Sequence, residues 1–295
     1  MDTDADHEWV DWLRGLLKTG ADALDAQPAG DPVLGLRGRT VGCRVTIGAR
    51  DRWLRVVTAP PGWACGPAWS GNVDATGITG VRHSEVLDTA EWDDHDRRAR
   101  AELMTLAPGQ AIATDMALRD RISLDNSWWT TLRASLDTLA AHPTDRVCLN
   151  ADLLRLRILA AFGVTVDPNT LMWTTAHGDL HRANLTNSGC WILDWESWGT
   201  APAGYDAALL HAVSLLRPET AEQVHATFLD ILAGRTGAMA QLAAAAKLLR
   251  LVEHGDPPDR RTTAPARPYH PEHLLLIGTV TPRNRRFSCC GQEKR

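Results

Sequence analysis

Apolar positions in the first part of the chain change from a helical to an alternating pattern. Within residues 8–18 the large apolar side chains share one helical face, and Gly20 is expected to end this helix. Short β-branched runs at 40–47 and 53–58, separated by Gly48–Asp51, predict a β-hairpin. The pattern therefore predicts an N-terminal helical cap over residues 1–34, followed by strands.

Two further extended stretches, 81–92 and 99–106, lead to Ala107-Pro108-Gly109, which is a strong chain-breaking signal. We take this break as the end of a small β-rich lobe over residues 35–109. Helical apolar spacing then dominates from 110 to 254. Its segments are predicted at 127–141, 146–162, 205–216 and 221–252, with short strand-like pieces at 171–176, 184–186 and 190–193.

The composition changes again after Gly255. Six of the 16 prolines lie beyond this residue, and the segment holds eight Lys and Arg against four Asp and Glu. Such a segment buries little apolar surface, so residues 255–295 are predicted to form a disordered basic tail.

Length and charge exclude several classes of protein. The chain has 295 residues, 44% of them hydrophobic, and a net charge of -5. No apolar stretch approaches the roughly 18 residues of a membrane span, and the N-terminus is acidic where a secretory signal is basic. We therefore expect a cytoplasmic protein with no membrane partner. An acidic chain also lacks the basic face that a nucleic-acid partner requires.

Cysteine spacing gives no sign of a zinc site or a disulfide framework. The six cysteines occur without a Cys-x-x-Cys pair, and we expect reduced thiols: Cys43, Cys65, Cys148, Cys190, Cys289 and Cys290.

The chemistry is concentrated in one segment, which reads His177-Gly-Asp-Leu-His-Arg-Ala-Asn184. An apolar strand leads into a loop that carries Asp179, and Asn184 follows five residues later, which is the spacing of a kinase catalytic loop. A turn at 187–189 then leads to Asp194 at the end of an apolar run. Carboxylate and amide oxygens are ligands that Mg²⁺ prefers. Asp179 is thus the predicted catalytic base, with Asn184 and Asp194 as metal ligands.

The two motifs, His177–Asn184 and Ile192-Leu-Asp-Trp-Glu196, resemble those of the aminoglycoside phosphotransferase and choline kinase family. The resemblance implies an α+β, bilobal protein-kinase-like fold. Its small β-rich N-terminal lobe, residues 35–109, would bind the nucleotide, and its larger, mainly helical C-terminal lobe, residues 110–254, would carry the catalytic and substrate-binding residues. It also implies ATP and Mg²⁺ as cofactors, and a small-molecule hydroxyl as acceptor. By the same resemblance residues 102–109 are similar to the hinge. The backbone of Glu102, Leu103 and Met104 would then contact the adenine.

The sequence departs from that family at the phosphate-binding elements. It has no lysine between Lys18 and Lys247, so Arg55 is the candidate for the strand cation that binds the phosphates. The glycines between Gly35 and Gly42 lack the usual spacing. The many glycines and prolines of residues 60–79 leave little room for a full-length helix with a partner glutamate. Asp74 or Glu85 is the alternative partner of Arg55.

Two functions remain open at this stage. The first is an ATP- and Mg²⁺-dependent kinase that phosphorylates a hydroxyl of a small polar molecule, and acidic residues of the second lobe would suit a cationic acceptor. The second is a catalytically silent, pseudokinase-like nucleotide-binding or interaction protein on the same fold. His177 is expected to be structural, Asp206 to open a helix, and Arg182 either to contact the transferred phosphate or to face solvent.

Overall fold

The structure is a computed structural model that describes residues 3–35 and 38–253, with no side-chain description for residues 3–6. The predicted tail, 255–295, lies outside the described residues. The chain forms two compact units. The described residues of the first are those up to 66 together with 88–103, and those of the second are 67–87 and 104 onwards. The α+β class, with a β-rich part and a mainly helical part, is confirmed.

The first unit is a six-stranded sheet covered by one helix. The sheet order is β1-β3-β4-β6-β5, and β2 also pairs with β3. Gly48, at φ +57°, makes the turn of the predicted hairpin, in which Cys43 lies opposite Leu54. The elements are α1 (Thr3–Ala23), β1 (Gln27–Pro28), β2 (Val33–Leu34), β3 (Thr40–Ile47), β4 (Arg50–Ala59), β5 (Val86–Asp94) and β6 (Arg97–Thr105).

Alternation along the strands builds the core of this unit. One sheet face presents alternate residues of β3, β4 and β6, among them Cys43, Leu54 and Ala101, to Leu13 and Leu16 of α1, and all five side chains are buried. The period of two thus places the apolar set of each strand on the face that α1 covers.

The predicted end of α1 at Gly20 is wrong, because the helix continues to Ala23. A Cβ built on Gly20 would lie only 2.8 Å from the Cβ of Ala101. This glycine therefore permits close approach of the helix to the sheet and does not end the helix.

A short helix occupies part of residues 60–79, where the sequence left little room for a full-length helix with a partner glutamate. It is α2 (Gly66–Ala75), which has ten residues and contains no glutamate. A Cβ built on Gly71 would lie 2.4 Å from the backbone oxygen of Trp195, so glycine allows close packing here. Asn72 Oδ1 accepts a hydrogen bond from the Trp195 N–H at 2.8 Å, and Trp198 Nε1 donates to Gly71 O at 2.9 Å.

The second unit contains helices around a short sheet. Asp125 and Asn150 accept backbone N–H groups at the N-termini of the first two long helices, as capping residues do. The elements are α3 (Asn126–Ala141), α4 (Ala151–Phe162), β7 (Trp173–Ala176), β8 (Gly199–Pro202), α5 (Tyr205–Ser214), α6 (Pro218–Thr227), α7 (Leu229–Leu232) and α8 (Arg235–Glu253).

The single helix predicted over 221–252 is divided into α6, α7 and α8. Phe228, at φ -120° and ψ 18°, leaves the helical conformation and caps α6, and its fully buried ring belongs to the core. Apolar periodicity continues through such a break, which is why the pattern did not reveal it. None of the described helices is both long and apolar enough to cross a membrane.

Candidate active site

The carboxylate of Asp206 holds the loop that carries Asp179 through two hydrogen bonds. The backbone N–H groups of His177 and Gly178 donate to Asp206 Oδ2 at 2.6 Å and Oδ1 at 2.8 Å. Gly178 has φ +83°, and a Cβ there would lie 2.4 Å from Cys148 Sγ. Asp206 is the second residue of α5, as expected of a helix-opening aspartate, but it also holds the loop of Asp179. Burial raises the pKa of Asp206 to about 6, although the two backbone hydrogen bonds act in the opposite direction.

His177 has the structural role that the sequence predicted. Its Nε2 faces Leu193 O at 3.0 Å and its Nδ1 faces the Asp179 N–H at 3.4 Å, so the ring donates through Nε2. The ring lies edge-on to Trp195, with centroids 4.9 Å apart. Burial lowers the pKa of His177 to about 4, so the ring is neutral at pH 7.

The same residue, Leu193, brings the two predicted metal ligands together. Its N–H donates to Asn184 O at 2.9 Å, while its carbonyl accepts from His177. Asp194 follows directly, with a left-handed backbone (φ +60°) and an exposed side chain. The turn that precedes it forms as predicted, with Gly189 at φ +71° and Leu185 opposite Ile192.

The amide of Asn184 is oriented by Asp179. Asn184 Nδ2 donates to the backbone oxygen of Asp179 at 3.0 Å, which leaves Asn184 Oδ1 without a hydrogen-bond partner in the described chain. An amide oxygen and a neighbouring carboxylate are hard donors that fit Mg²⁺. The described residues contain no group of three or more His, Cys, Asp or Glu placed to hold a metal, so such an ion would need waters or phosphate oxygens as further ligands.

Both oxygens of the predicted base have cationic or polar neighbours. Lys247 Nζ lies 2.5 Å from Asp179 Oδ1, and His181 Nε2 lies 3.5 Å from Oδ2. Burial alone would raise the pKa of Asp179, but the charge of Lys247 and the contact with His181 hold it well below its usual range. Sequence reasoning missed Lys247, which is 68 residues away on α8. Its only signal was that it is the one lysine between Lys18 and Lys294.

Arg182 has neither of its expected positions. Its side chain is fully buried, so it is not a solvated loop residue, and it packs against two adjacent indole rings. The guanidinium carbon is 5.4 Å from the Trp128 ring and 4.9 Å from the Trp129 ring. Its three nitrogens have no hydrogen-bond partner in the described chain. Burial lowers its pKa to about 10.

Arg55, in the first unit, forms an ion pair with Glu102, which the sequence analysis placed in the hinge. Arg55 Nη1 lies 2.9 Å from Glu102 Oε2, and Arg100 Nη2 lies 2.7 Å from Glu102 Oε1. The two strands β4 and β6 are neighbours in the sheet, which brings these residues together. Both proposed partners were wrong. Asp74 pairs with Arg146 at 2.6 Å, and Glu85 uses its backbone, which exchanges hydrogen bonds with Thr105.

The predicted hinge begins inside a strand. Glu102, Leu103 and Met104 all lie in β6, which has a hydrogen-bonded neighbour on each side. Leu103 belongs to the apolar core of the first unit, and the side chain of Glu102 is used in ion pairs. Backbone groups of an inner strand are engaged in the sheet, and contact of these three residues with an adenine stays a prediction.

Comparison with known proteins gives structural neighbours only. No family model matches the sequence, and no curated protein does. The spectinomycin phosphotransferase APH(9)-Ia, solved with ADP and spectinomycin, is similar with a TM-score of 0.45 and 11% identity, over 78% of this chain and 82% of that one. The PknI kinase domain of Mycobacterium tuberculosis has a TM-score of 0.37 and 16% identity, over 75% and 95% of the two chains.

A third neighbour is the MAP kinase LmaMPK10 of Leishmania major, with a TM-score of 0.37 and 11% identity, over 92% of this chain and 78% of that one. All three neighbours are kinases or phosphotransferases. Since their TM-scores lie below 0.5, the similarities carry no conclusion about activity or substrate. Those conclusions depend on the chain's own contacts.

Proposed function

We propose that this protein is an ATP- and Mg²⁺-dependent phosphotransferase that phosphorylates a hydroxyl of a small polar molecule. One observation carries the proposal. Leu193 is hydrogen-bonded to both Asn184 and His177, so the Asp194 segment lies beside the loop of Asp179 and Asn184. Three residues of the types that phosphoryl transfer requires thereby lie on two chain segments that these hydrogen bonds join.

Each residue has a role in this chemistry. Asp179 accepts the proton of the acceptor hydroxyl. The oxygen of that hydroxyl forms a bond to the γ-phosphorus, and the bond from the γ-phosphorus to the oxygen of ADP breaks. Asn184 Oδ1 and the Asp194 carboxylate would hold Mg²⁺, which when bound neutralises charge on the phosphates. Arg55, oriented by Glu102, is the candidate to bind phosphate oxygens through its guanidinium.

The class of acceptor remains a prediction. The acidic residues that suggested a cationic acceptor include Asp125, which caps α3, and Asp137, which pairs with Arg133. Carboxylates that are engaged in this way are weak evidence for a cation-binding pocket. A small hydroxylated molecule is therefore proposed without a preferred charge.

Calorimetric titration with ATP, with and without Mg²⁺, tests the proposal at fixed ionic strength. We expect metal-dependent binding by the wild type and loss of binding in Asp194→Ala, with weaker binding in Arg55→Ala. Asp152→Ala is the matched control, because this exposed carboxylate of α4 makes only a surface ion pair. No binding by the wild type at any Mg²⁺ concentration would refute the kinase assignment.

Turnover is then tested with pools of hydroxylated compounds by measuring ADP release, with Asp179→Asn as the inactive control. The alternative is a pseudokinase-like protein. It is favoured by the lack of a lysine at the position of Arg55 and by the ion pair of Arg55 with Glu102, which also pairs with Arg100. Binding of Mg·ATP without ADP release from any pool would support this alternative.

A further inference from the structure

Lys247 contacts the predicted base and the backbone beside it. From α8 its Nζ donates to Asp179 Oδ1 at 2.5 Å and to Gly178 O at 3.0 Å. Its side chain is 21% exposed and that of Asp179 is 28% exposed, so the pair is shielded but open to solvent on one side. Charge-assisted hydrogen bonds of this kind are short and strong.

The other groups near Lys247 do not compete for its charge. Burial raises the pKa of Tyr205 and of Cys148 to about 12, so both are neutral at pH 7. Asp206 is a nearby carboxylate, but its two oxygens accept the backbone N–H groups of His177 and Gly178. Asp179 is therefore the carboxylate that Lys247 orients.

An ammonium group has three N–H donors, and two of those on Lys247 are used by Asp179 and Gly178. The third has no hydrogen-bond partner in the described part of the chain. Because the two contacts fix Nζ at the reacting carboxylate, the third donor is available to an oxygen that approaches the same place. The transferred phosphoryl group carries such oxygens, with negative charge.

We propose that Lys247 is a catalytic residue of this site, which fixes Asp179 through Oδ1 and donates its remaining N–H to an oxygen of the transferred phosphoryl group. The inference rests on the proposed function. By this inference α8 supplies the cation Lys247 at the reacting end of the nucleotide. The predicted nucleotide-binding lobe, residues 35–109, contains no lysine. Asp179 then orients the acceptor hydroxyl as an ionised carboxylate.

The test compares Mg·ATP with Mg·ADP by calorimetry in the wild type and in Lys247→Met, which retains most of the aliphatic stem. Lys247→Met should bind Mg·ATP about tenfold more weakly while its affinity for Mg·ADP is unchanged, because only ATP carries the phosphoryl group in question. A residue that merely supports the fold would change both affinities together. Arg235→Met, at the exposed start of the same helix, is the control.

Mg²⁺-dependent ATP hydrolysis provides the second measurement. We expect kcat to fall about a hundredfold in Lys247→Met with a smaller change in KM, and to be partly restored in Lys247→Arg. Thermal unfolding confirms that each variant is folded. Equal weakening of Mg·ATP and Mg·ADP, or a kcat that is unchanged or higher, would overturn the role of Lys247 alone. Failure of the wild type to bind either nucleotide would instead refute the proposed function, and the inference with it.

Discussion

At the level of single residues, Arg182 is a charged side chain that a polar loop sequence would place in solvent but that the structure buries. It stands between Asp179 and Asn184 in a polar loop, yet its guanidinium is fully buried against Trp128 and Trp129. The contact with the two rings offsets part of the cost of burying a charge. No local pattern indicates this burial, because the two tryptophans lie more than 50 residues earlier, at the start of α3.

The burial of Arg182 makes a testable distinction between loss of volume and loss of charge. We expect Arg182→Met to change the free energy of unfolding by no more than about 1 kcal/mol, because it fills the space and removes an unpaired buried polar group. Arg182→Ala should lose about 2–4 kcal/mol, because it leaves a cavity.

Urea unfolding measures both Arg182 variants, with the exposed Arg155→Ala as control. If Arg182→Met were as destabilising as Arg182→Ala, the charge itself would contribute to stability.

At the element scale, glycines decide how closely two helices approach their neighbours. Gly20 of α1 faces Ala101, and Gly71 of α2 faces the backbone of Trp195 and Glu196, just after Asp194. Each occurs inside a helix, where glycine costs about 1 kcal/mol relative to alanine. Their presence is explained by contacts between distant elements, so local sequence rules predicted a helix end at Gly20 and little helix around Gly71.

Gly71→Ala and Gly15→Ala make a matched pair for this effect. A Cβ on Gly71 would collide with backbone atoms, so we expect a loss of about 2 kcal/mol in the free energy of unfolding. Gly15 of α1 has no atom within 4 Å of a built Cβ, so Gly15→Ala should gain about 0.5–1 kcal/mol from helix propensity.

Chemical denaturation followed by circular dichroism checks both glycine variants. A neutral Gly71→Ala would show that α2 can move away from the Asp194 segment without cost.

At the scale of the whole molecule, the second unit assembles the candidate site from four separate parts of the chain. Four segments contribute: the loop of Asp179, the segment of Asp194, the start of α5 with Asp206, and the middle of α8 with Lys247. A ligand that binds this site in the folded state, and does not bind the unfolded chain, raises the free energy of unfolding of the protein.

Mg·ATP should therefore raise the melting temperature of the whole protein. At a hundredfold excess over its Kd, the ligand adds about 2.7 kcal/mol, which corresponds to a rise of roughly 5–10 °C for a chain of this size. We expect the rise to disappear when EDTA removes the metal and in Asp194→Ala. Scanning calorimetry with ATP alone and Mg²⁺ alone supplies the controls, and an equal rise in Asp194→Ala would exclude that residue as a metal ligand.

Local periodicity and turn residues were enough to predict the α+β class, the β3–β4 hairpin and most of the helices. The candidate site could be proposed from the motif because Asp179, Asn184 and Asp194 lie within 16 positions of one another. The partner of Arg55, the burial of Arg182 and the contact of Lys247 with Asp179 could be read only from the fold. These contacts join residues 47 to 68 positions apart, and neither strand adjacency nor helix packing leaves a signature in the pattern of either segment alone.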